Sequence, residues 1–151
     1  MSDVDYQMLD AADQIFNSTN SGKMKAYFTK FTDKSFDEAI IHVTSILKEH
    51  GFGIITEIDV METLKKKIDV DFRPYRILGA CNPSFAYKAL QTESNAGIMM
   101  PCNVIVQQHE DGKVEVTIVN PDAAAGSINN PALEDFACEV TKELRKVYRK
   151  I

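Results

Sequence analysis

The stretch Tyr75–Pro83, YRILGACNP, is an apolar run that ends in a cysteine, an asparagine and a proline. Tyr75 to Cys81 reads as a strand. Asn82 and Pro83 then fit the N-cap and first-turn positions of a helix running to about Leu90, with Phe85, Ala86, Ala89 and Leu90 on its apolar side. A second stretch, Gly97–Val104, GIMMPCNV, repeats the pairing of a cysteine with an asparagine where a loop meets a strand. The two pieces are expected side by side, and the rest of the chain reads as the scaffold that holds them.

Downstream, Gln91 to Met100 reads as a loop with an apolar tip. Pro101–Gln108 and Val114–Val119 flank the turn residues Glu110-Asp111-Gly112-Lys113 and predict a hairpin, with Val114, Val116 and Ile118 alternating against Glu115 and Thr117. A small-residue connection from Asn120 to Asn129 follows. Asn130-Pro131 opens the last helix, whose first turn carries Glu134 and Asp135 and whose last turn carries Lys146, Arg149 and Lys150, as the helix dipole favours. Its stripe is Leu133, Phe136, Ala137, Val140, Leu144, Val147, Tyr148 and Ile151.

Upstream, Ser35 and Glu38 form a capping box. Phe36, Ala39, Ile40, Val43, Ile46 and Leu47 follow at helical period, and Gly51 closes a helix over 35–50. Phe52 to Ile58 reads as a strand with Phe52, Ile54, Thr56 and Ile58 on one face and Ile55, Glu57 and Asp59 on the other. Asp59 and Glu62 predict a second capping box and a short helix with Met61, Leu64 and Ile68 inward. Lys25 to Thr32 is the first strand. Residues 1–24 form an N-terminal extension, a short helix marked by Met8, Leu9, Ala12, Ile15 and Phe16 plus a polar linker over 17–22, ahead of one domain over 25–151. The order of elements gives an α+β fold, a mostly antiparallel sheet with two long helices on one face and short helices in the inter-strand connections.

The chain has 151 residues, 44% of them hydrophobic, which is enough for one ordinary core. A net charge of -5 and a pI near 5.2 argue against nucleic acid, which demands clustered positive charge. No apolar run reaches the roughly 20 residues of a membrane span, and the acidic start MSDVDYQMLD does not read as a signal peptide, so a cytoplasmic location without a membrane partner is expected. Three cysteines, Cys81, Cys102 and Cys138, are an odd number and read as reduced thiols.

Four separated motifs carry a family resemblance. LKEHGFGIIT (Leu47–Thr56), EIDV (Glu57–Val60), DFRPYRILGACNP (Asp71–Pro83) and MPCNVI (Met100–Ile105) together resemble the domain of unknown function 302 family, from about Lys25 to the C-terminus. The resemblance implies a β-α-β(4)-α fold of the TATA-binding-protein-like type and a tendency to form homodimers. It implies no established reaction.

Cys81, Asn82, Cys102 and Met99 are the expected pocket residues, with Glu57 and Arg76 on its rim. Two thiols at one outlet suit a soft metal or a disulfide cycle, yet unpaired cysteine also packs as a small hydrophobe. His42, His50 and His109 show no metal-ligand spacing and two thiols do not complete a zinc site, so neither metal nor cofactor is expected. Glu57 and Asp59 share a strand face, as acid–base chemistry requires, although Asp59 already has a use as an N-cap. Asn82 likewise is an N-cap before it is a ligand contact. Arg73 and Arg76 offer forks for a small anionic ligand, whereas Ile98-Met99-Met100 suits an apolar ligand or a second copy of the chain. Cys138 lies beside the last stripe and has no assigned role.

Two function classes fit these residues. One is a non-catalytic ligand-binding or accessory homodimer. The other is a thiol-dependent redox enzyme or sulfur carrier using Cys81 or Cys102, which needs a cation or helix N-terminus to lower the thiol pKa.

Overall fold

The computed structural model describes residues 19–20 and 23–151, and the helix expected over 8–16 lies outside them. β1 (Thr19–Asn20) and β2 (Lys23–Met24) pair as a two-residue antiparallel ribbon where the polar linker was expected. The main sheet contains β3 (Tyr27–Thr32), β4 (Gly53–Asp59), β5 (Tyr75–Cys81), β6 (Cys102–Gln108) and β7 (Val114–Val119). Its spatial order is β3-β7-β6-β5-β4, and every neighbouring pair is antiparallel.

The helices form where local sequence calls for them. In α1 (Phe36–Glu49) the Ser35 hydroxyl accepts from the Glu38 amide while the Glu38 carboxylate accepts from the Ser35 amide, so both halves of the capping box are made. Gly51 follows at φ +83°, a left-handed conformation that costs a glycine little. α2 (Val60–Ile68) departs from expectation at its start: Asp59 caps the Glu62 amide at 2.9 Å, but the Glu62 carboxylate reaches Lys66 rather than turning back, so the reciprocal half is missing. α3 (Pro83–Thr92) opens on Asn82, and α5 (Pro131–Lys150) opens on Asn130. The expected loop after α3 holds a 3-10 helix over Ser94–Met99, and the connection after β7 holds the short α4 (Pro121–Ala125).

α1 and α5 cover one face of the sheet. Val43 and Leu47 from α1 join Leu144 and Val147 from α5 against Leu78, Val104 and Ile118, all in one buried cluster. Each fully buried side chain of this kind is worth about 1.5–3 kcal/mol. Thr141 on α5 is also buried, where a sequence stripe counts only apolar positions; its hydroxyl donates to Asn120 Oδ1 at 3.5 Å. The opposite sheet face is not covered by either long helix, and Tyr27 and Phe31 stand exposed on it.

The strand from 53 to 59 corrects the expected alternation. Ile54 stands opposite Ala80, but Thr56 stands opposite Gly79, so Ile55 is an extra residue that breaks the register. Residues paired across an antiparallel ladder share a face. Thr56 and Ile58 therefore lie on the open face with Gly79 and Ile77, not with Ile54, while Glu57 and Asp59 come to the helix-covered side opposite Leu78 and Arg76.

Candidate functional site

Antiparallel pairing of β5 with β6 brings the end of one strand to the start of the other, and Ala80 stands directly opposite Cys102. Cys81 is the last residue of β5. From it the chain enters α3 through Asn82, whose Oδ1 accepts from the Phe85 amide at 3.4 Å, with Pro83 in the first turn. The 3-10 helix and the cis Met100–Pro101 peptide then return it to Cys102. Asn82 is fixed from behind by Gly51, where a Cβ would stand 2.9 Å from the asparagine Nδ2. The expected juxtaposition of Cys81, Asn82 and Cys102 is present.

A cavity of about 340 Å³ opens at this outlet. Cys81, Asn82 and Cys102 form its sheet end, Phe85 and Ala89 of α3 one wall, and Met99 of the 3-10 helix another. The far wall is α5, through Phe136, Ala137 and Val140. Space remains because Ala86, Ala89, Ala96, Ala124 and Ala137 present only methyl groups. No lining residue is Asp, Glu, Lys, Arg or His, so the polar groups on the wall are those of Asn82, Asn103 and the two thiols. Such walls hold a molecule or ion that does not need a charged partner from the protein.

Burial pushes the Cys102 thiol up to about 11, and the neighbouring Cys81 adds to the rise. Removing water penalises the thiolate, and no cation among the lining residues offsets the penalty. Both sulfurs are partly buried and unpaired, whereas Cys138 is exposed on α5.

Glu57 and Arg76 do not rim the cavity. Arg76 lies near the other end of β5, where Nη1 donates to Glu57 Oε1 and Nη2 donates to Asp59 Oδ2 at 3.3 Å. The register break in β4 is the reason, since it turns both carboxylates toward the guanidinium. Asp59 thus serves two partners, the α2 amide and Arg76. Arg73 is occupied elsewhere as well: Nε and Nη2 donate to Gln107 Oε1 at 3.1 and 2.9 Å, and its guanidinium carbon lies 4.5 Å from the Phe72 ring centre. The histidines are scattered. His50 Nδ1 meets Glu143 at 3.3 Å, His109 Nε2 meets Glu115 at 2.5 Å, and His42 Nε2 meets the Lys150 carbonyl at 3.2 Å. Among the described residues no group of three or more His, Cys, Asp or Glu is placed to hold a metal ion.

Sequence reasoning missed the α5 wall. In the sequence Phe136, Ala137 and Val140 are ordinary stripe residues, and the signal that sets them apart is a small residue, Ala137, sharing the cavity wall with Ala86 and Ala89 of α3. That signal has meaning only once α3 and α5 are known to pack together.

The family model "Domain of unknown function DUF302" matches residues 28–151. An uncharacterized protein of Aquifex aeolicus (strain VF5) is 26% identical over 87 residues, which are 55% of this chain and 60% of that protein, so the match spans less than two thirds of its length. The crystal structure of an uncharacterized conserved DUF302 protein from Bacillus stearothermophilus superposes with a TM-score of 0.76 at 30% identity, over 82% of this chain and 96% of that one. With the family model covering both long helices and all of the five-stranded sheet except Tyr27, the chain belongs to the DUF302 family.

Proposed function

We propose that this chain is a non-catalytic binding domain that holds a small, largely apolar ligand in the cavity between β5, β6, α3 and α5. The observation that carries this reading is the lining itself, apolar apart from two amides and two thiols and free of any acid, base or cation. General acid–base work requires a titratable group beside the reacting atom, and an anionic ligand requires a donor fork. Neither lies on these walls. The thiol-enzyme alternative draws no support from Cys102, whose thiol is held protonated by its surroundings.

We infer further that the domain works as a cytoplasmic homodimer. Three unpaired cysteines suit a reducing compartment, and Ile98, 83% exposed at the mouth of the cavity, is an apolar side chain suited to a second copy. Sedimentation at micromolar concentration is expected to give twice the 16.9 kDa chain mass, and Ile98→Asp is expected to halve it. A wild-type protein that sediments only at the chain mass removes the dimer.

The binding reading is tested with a neutral solvatochromic dye such as Nile red against an anionic one. Saturable binding of the neutral dye, lost in Ala86→Phe with the melting temperature preserved, is the expected result. Preference for the anionic dye, or neutral-dye binding untouched by filling the cavity, sinks the reading.

A further inference from the structure

The sheet face turned away from α1 and α5 carries a continuous row of side chains. Pairing from strand to strand lines up Thr29, Thr117, Ile105, Ile77 and Ile58 across it. Ile58 is 48% exposed, and Ile77 and Ile105 are half-buried. Tyr27 and Phe31 stand exposed along the β3 edge of the same face. The polar side chains of the adjoining row are spent within the chain: Glu115 accepts from the Thr29 hydroxyl and lies 2.5 Å from His109 Nε2, and Gln107 accepts from Arg73. Isoleucines and aromatics placed side by side, with the neighbouring carboxylate already paired, suit an apolar cover.

The chain carries a candidate cover in the residues that precede the sheet. Met8, Leu9, Ala12, Ile15 and Phe16 recur at helical spacing, with Asp10 and Asp13 off that stripe. Their tether to the face is short. Three residues lead from Phe16 to Thr19, the β1–β2 ribbon brings the chain back beside its start by pairing Thr19 with Met24, and three more reach Tyr27. At about 3.5 Å per extended residue and about 5 Å across the ribbon, Phe16 lies within roughly 26 Å of Tyr27. Five strands about 4.8 Å apart make the face about 19 Å wide, and nine helical residues run about 14 Å. We propose that residues 8–16 form a helix that docks this stripe on the open sheet face, over Ile58, Ile77 and Ile105, as a third layer of the domain. The occupant is this chain's own segment and not a second copy, because a short tether holds it at an effective concentration on the order of millimolar, far above that of a second copy at micromolar protein.

The chain has no tryptophan, so Phe16→Trp in the full chain supplies a single fluorescent reporter. In the folded protein its emission is expected to be blue-shifted and shielded from iodide, and to move to the red when urea unfolds the domain. Ile105→Glu places a carboxylate in the middle of the row, and Ile58→Glu places one at its exposed end, where folding tolerates it. Each is expected to open the reporter to iodide while the urea transition of the domain persists. Ile41→Glu, on the outer side of α1 where Ile41 is 70% exposed, is expected to leave it shielded. A reporter open to iodide in the chain with an unaltered sheet overturns the proposal, and no sheet variant has to fold for that result. Shielding that survives Ile58→Glu overturns it too. So does shielding that fades on dilution to nanomolar protein, which assigns the cover to a second copy, or that is lost in Ala86→Phe, which places the stripe in the cavity beside α3.

Discussion

The two ends of strand β5 are built on opposite principles. At Arg76 the chain gathers charges and satisfies them internally, with Glu57 and Asp59 on the guanidinium and the Phe36 ring 5.8 Å from it. At Cys81 it removes every charge from the wall and leaves about 340 Å³ of space. The lesson is that the polar cluster, which looks more like chemistry in sequence, is the closed end. Both terminal nitrogens of the guanidinium are already spent on the two carboxylates, whereas the uncharged end has room for something that is not part of the chain.

Gly79, between the two ends, gives the largest expected effect. A Cβ there would stand 2.0 Å from Thr56 Oγ1 and 2.7 Å from Pro101 Cγ, so β4 and the loop before β6 both close onto its bare backbone. Gly79→Leu is expected to cost about 3 kcal/mol or more, the upper range for overpacking a filled site. Urea denaturation measures it. A cost under about 1 kcal/mol would mean that the strand ends are not held together through this contact.

A second measurement sharpens the contrast at the cysteine end. The Cys102 thiol rises from an ordinary 9.0 to about 11, so near neutral pH it holds roughly 100-fold less thiolate than an ordinary thiol, and its alkylation is expected to be slower in proportion. The pH dependence of stability has a definite sign. Because the folded value is raised, the stabilisation is complete below the ordinary thiol value, and it is lost as pH climbs from about 9 through about 11, where the unfolded chain gives up its proton first. Cys102→Ala is expected to flatten that decline in urea midpoints across the same range. A decline that stays unaltered in the variant places its origin in other groups.

The smallest effect belongs to the closed end. Arg76→Met keeps the aliphatic stem against Phe36 and removes the charge from Glu57 and Asp59, whose side chains are 48% and 29% exposed. Partly solvated pairs of this kind are worth about 1 kcal/mol or less. The variant is expected to lose no more than that, with the loss shrinking in high salt and dye binding at the cavity unchanged. Altered dye binding would show that the two ends communicate.

Much of this was legible along the chain because it is local. The Ser35–Glu38 box, Gly51 at positive φ, the Asn82-Pro83 start of α3 and the alternation of Val114, Val116 and Ile118 each depend on neighbours within a few residues, where propensity and hydrogen bonding act directly. The placement of Cys81 beside Cys102 also followed from sequence, since two apolar runs ending in the same Cys-Asn pair in an antiparallel sheet put their ends together. Only the tertiary structure decided the rest. The extra residue at Ile55 moved Glu57 and Asp59 to the Arg76 side, because a bulge is fixed by the partner strand and not by the strand that carries it. Arg73 turned to Gln107, a residue 34 positions away. The cavity itself required α5 to lie across α3 with alanines between them, a fact about volumes left empty where two distant segments meet, which no single segment of sequence records.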